Sequence, residues 1–379
     1  MIAELSMSLL VAGAGALPDA KPIHDPTNPS AMYQRWLPGP IRCAAGRAVP
    51  DDALIAPVGI LGTPYRVPTD ALEVDFTIDG EGRPLSIRYA EENLRLYSAE
   101  QDVLPALAAS NFPATGEATA CAVTYKHVVS EPDDTPLIEM ARYNAFSRAN
   151  RMPRSVWQRI GGGDCQEKGR LYPVTLSYPD FRDVEAIPGQ AAFSYVRYDV
   201  SEEGVPRNVE LVLSSGDEAI DRETFRAVSD SRFRAGERTG CVRAGGKSRA
   251  PLPAPNAPDH TPGDSADARC EAPGRWAKEP KLVYPSAYLK RGVEGWALIR
   301  YDVAPWGQTG AVEVIAAQPT SEFGTAAKAL INSASYKAME SGLSGCVEKI
   351  VYRMRGKQAE PDDGEMNAGP ETLALNERG

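Results

Sequence analysis

The sequence predicts an α+β fold of three small ββαβ domains in tandem, each with one intradomain disulfide. The first observation behind this prediction is that six cysteines fall into three evenly spaced pairs. The second is an order of elements that occurs three times: an alternating apolar run, a glycine turn, a second run, a helical pattern and a final run. Such self-similarity at a fixed period indicates repeated supersecondary units.

The cysteines are spaced as one bridge per repeat. Taken in order as pairs, Cys43/Cys121, Cys165/Cys241 and Cys270/Cys346 lie 78, 76 and 76 residues apart. Six cysteines allow about 15 connectivities, and the repeated spacing favours this one. Disulfides in turn indicate an oxidising compartment. The sequence has no C-x-x-C motif or Cys/His cluster, so we expect no zinc or other metal site.

Each repeat opens with an alternating run, and a glycine stands four residues beyond it. Alternation with period two predicts a half-buried strand, and a glycine between two such runs predicts a hairpin loop with positive φ. The first runs are 72–78, 196–200 and 299–303, the glycines are Gly82, Gly204 and Gly307, and the return runs are 87–89, 209–211 and 312–314.

A helical pattern follows in each repeat and ends near an aromatic residue, after which the repeats differ. The aromatic residues are Phe112, Phe233 and Tyr336, and the second cysteine lies 8 to 10 residues beyond each. Residues 122–128 and 347–354 then predict a last strand. In the second repeat Ala244, Gly245 and Gly246 follow almost at once, which predicts that its last strand is short or absent.

These patterns set the predicted boundaries. The three domains span residues 22–128, 151–245 and 267–356, separated by a linker at 129–150 and a Pro-rich, semi-rigid linker at 246–266. Residues 1–20 contain an apolar run with small-x-small cleavage sites and predict a signal peptide. No Lys or Arg precedes that run, so a misplaced start or a frayed apolar segment are the alternatives. Residues 357–379 predict a disordered acidic tail.

Composition and motifs exclude several functions. The formal net charge of −10 over 379 residues argues against nucleic acid as the main partner. The three histidines are not spaced as metal ligands, and the glycine-rich stretches lack the P-loop lysine and the nucleophile-elbow pattern. No acid, base or nucleophile set emerges. We therefore expect no catalytic residues, no cofactor and no small-molecule substrate.

The third repeat resembles the TonB C-terminal domain family. The resemblance rests on Tyr284, Pro285, Gly295 and Gly307, on the order of the strands and helix around them, and on Tyr336-x-Ala338. It covers residues 270–356 well, 165–243 moderately and 43–128 weakly. The chain departs from the energy-transducer pattern in lacking a spanning helix and a long Pro-rich spacer, and its disulfides are not part of the usual pattern.

The resemblance implies a helix packed on a three-stranded antiparallel sheet whose last strand lies at an edge. Family members of the energy-transducer type reach across the periplasm and pair that edge with a segment of outer-membrane transporters. Such pairing is strand addition, in which unpaired backbone groups recruit an extended partner. The matching partner-binding positions in this chain are Val347, Glu348, Lys349, Ile350, Val351, Tyr352 and Arg353.

The leading hypothesis is therefore a periplasmic TonB-like protein that binds extended segments of a protein partner, such as an outer-membrane receptor, with a possible role in TonB-dependent transport across the membrane. The protein would be exported, and it would be tethered to the membrane if residues 1–20 were not cleaved. The alternative is a structural envelope scaffold in which the domains pack on one another and bury their edges. An enzyme is the third and weakest hypothesis.

Overall fold

The computed structural model of the chain describes residues 31–46, 49–50, 53–63, 71–91, 102–147, 150–259, 265–272, 274–354 and 366–367. The predicted signal peptide at 1–20 lies outside the described residues, as does the predicted tail at 357–379 apart from residues 366–367. The described part is α+β with mostly antiparallel sheets, as the sequence predicted, and it contains six α-helices where one helix per repeat was predicted.

The first sheet has six strands where the sequence predicted three. Its strands are β1 (Met32–Pro38), β2 (Arg42–Cys43), β3 (Ile60–Gly62), β4 (Ala71–Ile78), β5 (Pro84–Tyr89) and β6 (Thr119–Ser130). Their order is β3-β1-β6-β4-β5, and β2 also pairs with β6. Helix α1 (Val103–Ala108) is buried along its whole length. Its Pro105 lies in the first turn, where the missing N–H leaves no helical hydrogen bond unmade.

The second sheet is three-stranded, and helices separate it from the first. These helices are α2 (Leu137–Phe146) and α3 (Arg154–Gly161). Next come β7 (Pro173–Thr175), β8 (Ala192–Val200), β9 (Pro206–Ser214), α4 (Glu218–Ser229), β10 (Arg232–Phe233) and β11 (Arg238–Lys247). The sheet has the order β11-β8-β9, while β7 and β10 form a separate two-stranded ribbon.

The third sheet completes the described chain. Its elements are β12 (Trp276–Lys278), α5 (Ser286–Arg291), β13 (Gly295–Val303), β14 (Thr309–Gln318), α6 (Ser321–Ser333), β15 (Ser335–Tyr336), β16 (Leu343–Tyr352) and β17 (Met366–Asn367). The sheet has the order β14-β13-β16-β17, and β12 pairs with β15. Strand β13 is antiparallel to both β14 and β16, whereas β17 is parallel to β16.

The recurrent glycine and the recurrent aromatic residue meet in each repeat. The backbone N–H of Phe112 donates to the carbonyl oxygen of Gly82 at 2.9 Å. Phe233 and Gly204 form the same bond at 2.9 Å, and Tyr336 and Gly307 form it at 2.8 Å. The two motifs that the sequence analysis found separately therefore form one contact, which ties the end of each helix segment to the hairpin turn.

The last strand of the second repeat is ten residues long, so the prediction of a short or absent strand is wrong. β11 remains antiparallel to β8 from Cys241 as far as Lys247. A Cβ atom on Gly245 would lie 2.1 Å from the Thr224 hydroxyl oxygen on α4. The helix therefore approaches this strand so closely that glycine is needed there, although glycine is unfavourable in an average strand.

The first and third sheets share one hydrophobic core. Its buried side chains come from β4, β5, α1 and β6 and also from α5, β13, α6 and β16. Across the junction, Arg291 forms a buried ion pair with Asp102, with Nε 3.0 Å from Oδ1. The Ile87 N–H also donates to the Pro319 carbonyl oxygen at 3.0 Å. These two parts of the chain therefore pack against each other directly.

The Pro-rich segment predicted as a spacer is packed along part of its length. Leu252 bridges to Val293, and the Trp296 indole N–H donates to the Pro255 carbonyl oxygen at 2.9 Å. The sequence predicts this segment as a semi-rigid linker, and its described residues make these contacts with the third repeat. The apolar surface around Trp296 explains why the segment lies against the sheet.

The three predicted disulfides are present. Bonds join Cys43 to Cys121, Cys165 to Cys241 and Cys270 to Cys346. Such bonds are typical of proteins from oxidising compartments. A separate finding is that none of the helices in the described ranges is long and apolar enough to cross a membrane.

Candidate binding edge

The residues predicted to bind a partner lie on β16, with Arg353 directly after it. One side of β16 pairs with β13, from Cys346 opposite Tyr301 to Tyr352 opposite Gly295. Val347 directs its N–H and C=O to the other side, because both contact the Ser265 hydroxyl, at 3.0 and 3.5 Å. Since alternate residues of an antiparallel ladder face opposite sides, the backbone groups of Lys349 and Val351 face outward as well.

The side chains of β16 are divided between two faces of the sheet. Ile350 and Tyr352 belong to the shared core and have no exposed surface. Val347 and Val351 alternate with them and are 8% and 3% exposed. The strand is therefore firmly held by its side chains, and only its outer backbone edge is positioned to accept a further strand.

The first half of that outer edge is covered by the segment that precedes Cys270. Besides the Ser265 contacts to Val347, the Ala266 N–H donates to the Gly345 carbonyl oxygen at 3.0 Å. The Cys270–Cys346 bond holds this segment against the strand. The expectation of a fully free edge is therefore wrong at Gly345 to Val347.

The second half of the edge is paired with the chain's own tail. In β17, Met366 and Asn367 lie parallel to β16, opposite Ile350 and Val351. The tail over 357–379 is predicted to be disordered, and Met366 and Asn367 within it form this short strand. The physical reason is that outward N–H and C=O groups on β16 offer hydrogen bonds that a nearby extended segment of the same chain can accept without the entropy cost of bringing in a separate molecule.

The four family-motif residues support the end of β16 and its neighbours. The Tyr284 hydroxyl donates to the Val293 carbonyl oxygen at 2.7 Å, and its ring packs edge-on against Tyr352 at 5.6 Å. Pro285 precedes the first residue of α5. A Cβ atom on Gly295 would lie 2.4 Å from the Phe323 ring. Gly307 forms the hairpin contact described above, so these residues have structural roles around the edge.

An ion pair lies on the same strand. Arg275 Nη2 is 2.9 Å from Glu348 Oε2, and both side chains are mostly buried. Burial is the largest single effect and lowers the pKa of the Arg275 guanidinium, but Glu348, Tyr336 and Tyr301 together outweigh it, so the pKa is raised. Glu348 is therefore engaged within the third repeat and is not a free contact for a partner.

The last strands of the other two repeats are also covered. In the first sheet, β1 pairs with the outer side of β6 through six residue pairs, from Tyr33 opposite Ser130 to Pro38 opposite Tyr125. In the second, the Cys165 N–H donates to the Thr239 carbonyl oxygen at 3.0 Å, and Thr239 N–H donates to Asp164 at 2.9 Å. Strand β1 is the most extensive of these covers, and the sequence analysis missed it.

A signal for β1 existed but was weak. Tyr33 and Trp36 are 2% and 1% exposed, yet their spacing of three does not alternate with period two. The residues of β6 that pair with β1 lie 87 to 97 positions further along the chain. A single sequence gives no means of detecting such a distant pair, and the two-residue strand β17 is too short to show a pattern of its own.

The edge of β16 offers backbone hydrogen-bonding groups, and an apolar groove lies beside α6 of the same repeat. Within the described ranges, no group of three or more His, Cys, Asp or Glu side chains is placed to hold a metal ion. An apolar groove of about 480 Å³ runs between Val283 and α6, lined mainly by Ala326, Ala329 and Leu330. Its one acidic side chain, Glu322, has its pKa raised by burial, an effect that a hydrogen bond from Tyr288 partly offsets.

No protein-family model matches the chain, and no curated protein matches its sequence significantly.

Proposed function

We propose that the chain is a TonB-like protein of the periplasm that binds extended segments of envelope proteins by strand addition on the outer edge of β16. The domain organisation that goes with this proposal is three tandem ββαβ copies. The observation that carries it is the pairing of Met366 and Asn367 with Ile350 and Val351, because here the edge holds an extended segment from outside the repeat.

The first repeat supports the same mode of binding. Strand β1 precedes the repeating elements, yet it adds to the outer side of β6 over six residue pairs. In two repeats, therefore, a strand from elsewhere in the chain lies on the last strand of the sheet. Since β1 makes the longer ladder, β6 has its edge filled, and β16 is the strand that we propose for a partner.

A partner in this scheme is a protein with an accessible extended segment, of the kind that outer-membrane transporters present to family members. The three disulfides fit the periplasm, which is an oxidising compartment. Energy transduction and TonB-dependent transport would follow from coupling of this chain to a membrane motor, and they belong to the proposal through the family resemblance alone.

A structural envelope scaffold is the second candidate, and a specific observation favours it. The first and third sheets share a core, and the buried ion pair between Asp102 and Arg291 joins them. Removing one member of a buried ion pair costs about 3–5 kcal/mol. A scaffold needs this rigid junction for its function, whereas strand addition on β16 needs only the third sheet.

Two substitutions at Val351 test the strand-addition proposal. Val351→Pro removes the outward N–H without removing a hydrogen bond to β13, and Val351→Ala loses valine packing but keeps the N–H. We expect Val351→Ala to retain proteins captured from envelope extract by the immobilised chain, and Val351→Pro to bind them about tenfold more weakly.

Equal capture by the two variants would argue against strand addition. If neither the variants nor the unaltered chain captures any protein, even when the chain ends at residue 356, the scaffold becomes the better proposal. Mass mapping of the three disulfides in each variant checks that the fold is intact.

A further inference from the structure

A second exposed surface lies on the middle repeat, along the segment that contains β7. Tyr172, Val174, Leu176 and Tyr178 are 49%, 69%, 37% and 71% exposed. They occupy every second position, and alternate residues of an extended strand lie on one side. Single exposed apolar side chains are ordinary, but four in one short segment form the kind of contiguous patch that marks a contact surface.

Three arginines border this segment and stack on its rings. The guanidinium carbons of Arg170 and Arg234 lie 5.5 and 5.2 Å from the centre of the Tyr172 ring, and that of Arg243 lies 5.7 Å from the centre of the Tyr178 ring. In the part of the chain that the structure describes, none of the three forms an ion pair with a carboxylate. Each is held by aromatic rings or by neutral hydrogen-bond acceptors.

Arg243 is the most constrained of these cations. Its Nη1 lies 3.4 Å from the Ser231 hydroxyl oxygen, and the side chain is only partly exposed. Burial lowers the pKa of the Arg243 guanidinium. This direction is the one expected for a cation that is removed from water without a carboxylate to balance it.

Comparison with the third repeat identifies the positions that are equivalent to Tyr172 and Arg243. The Arg234 N–H donates to the Tyr172 carbonyl oxygen, and the Lys337 N–H donates to the Arg275 carbonyl oxygen, both at 2.9 Å. Tyr172 and Arg275 are therefore equivalent positions. Arg243 and Glu348 are also equivalent, because each lies two residues after the second cysteine of its repeat.

The two equivalent positions form an ion pair in the third repeat but not in the middle repeat. In the third repeat Arg275 and Glu348 form an ion pair at 2.9 Å. In the middle repeat the same two positions hold Tyr172 and Arg243, so the carboxylate is replaced by a cation. The site is thus closed within the third repeat and open to an external carboxylate in the middle repeat.

We infer that this surface binds an acidic and apolar extended segment of another protein, with a carboxylate of that segment paired with Arg243. The apolar side chains of the segment would pack on Val174 and Leu176, and its carboxylates would pair with Arg234 and Arg243. A carboxylate that meets an arginine already placed on an aromatic ring forms a charge-assisted hydrogen bond with little loss of side-chain freedom.

A protein partner is favoured over an anionic membrane. The exposed apolar residues follow a single extended segment, which suits one strand-like partner better than a lipid surface. This surface shares no residue with β16, so the present inference and the strand-addition proposal can fail independently.

The test uses the full chain and a fluorescein-labelled peptide in which Glu and Leu alternate, with fluorescence anisotropy as the readout. We expect saturable binding at low salt that weakens as salt is added. Arg243→Glu should weaken binding by about tenfold or more, because it replaces an attraction with a repulsion. Lys328→Glu, an exposed change of the same charge on α6, should leave binding within about twofold.

Glutamate is the residue at the equivalent position of the third repeat, so the fold accommodates Arg243→Glu. Tyr178→Ala is a second variant, and we expect it to weaken binding through lost packing without a change of charge. Absence of binding to the unaltered chain would overturn the inference, as would equal binding of a Lys–Leu peptide. Binding of phosphatidylglycerol vesicles through Arg243, without binding of the peptide, would also overturn it in favour of a membrane surface.

Discussion

Each hairpin glycine combines a positive φ with a close approach of another backbone. Gly82, Gly204 and Gly307 have φ of 91°, 83° and 93°. A Cβ atom at these positions would lie 1.9, 2.0 and 2.1 Å from the carbonyl oxygen of the recurrent aromatic residue. Glycine therefore recurs for two independent physical reasons, which explains why it is kept in repeats that otherwise differ widely.

Gly307→Ala should destabilise the chain by about 2–4 kcal/mol, because it introduces both backbone strain and a clash with the Tyr336 carbonyl. Gly310→Ala, three residues further along the same hairpin, is the matched control. A Cβ there meets nothing within 4 Å. Urea unfolding of the two variants checks the difference, and similar stabilities would contradict the contact described here.

Glu322 makes stability depend on pH in a predictable direction. Burial raises the pKa of its carboxyl above 4.5, and the hydrogen bond from Tyr288 offsets part of the rise. The folded state therefore binds this proton more tightly than the unfolded state does. Stability contributed by the protonated carboxyl is present below pH 4.5 and is lost as pH rises through the raised pKa.

The Glu322→Gln variant should consequently be more stable than the unaltered chain at neutral pH, and the two should converge at acidic pH. Urea unfolding across this pH range measures the difference. Glu313→Gln is the control, since Glu313 is an exposed residue of β14 in an ion pair with Arg300. A constant difference between Glu322→Gln and the unaltered chain at every pH would contradict the effect of burial.

At the scale of elements, the alternating runs and the glycine turns correctly predicted the strands and hairpins that depend on local sequence. The alternating runs became β4, β8 and β13, and the glycine turns and return strands followed them. Strand β11 was missed because its glycines look unfavourable until α4 is seen against them. Strand β1 was missed because it pairs with a distant part of the chain, of which a single sequence carries no record. Strand β17 was missed because two residues are too few to show an alternating pattern.

The candidate edge was predicted in part for the same reason. The positions on β16 follow from alternation and the family resemblance, and they do lie on the last strand of the third sheet. Its two covers depend on tertiary structure. The Ser265 hydroxyl is brought to Val347 from 82 residues away, and the tail returns to Ile350 from beyond the strand's end.

At the scale of the whole molecule, the three disulfides support cores of different size. Each closes a loop of 76 or 78 residues, so the chain-entropy contribution is about 4 kcal/mol for each. The core around Cys165 and Cys241 contains only five further buried residues, whereas the other two bonds belong to the shared core.

Replacing Cys165 and Cys241 together by serine should therefore open the middle sheet more readily than the Cys43/Cys121 double replacement opens the first. Amide hydrogen exchange along β8 and β4 measures this directly, with faster exchange expected in β8. Exchange that accelerates equally in the two strands, each in its own double variant, would contradict the link between core size and dependence on the disulfide.

The central claim is that the outer edge of β16 accepts an extended segment. Amide hydrogen exchange at Lys349 and Val351 tests it most directly, in the full chain and in a chain that ends at residue 356. We predict slow exchange in the full chain, faster exchange after truncation, and renewed protection when a synthetic peptide of residues 360–372 is added. Exchange that is unchanged by truncation and by the peptide would contradict the claim.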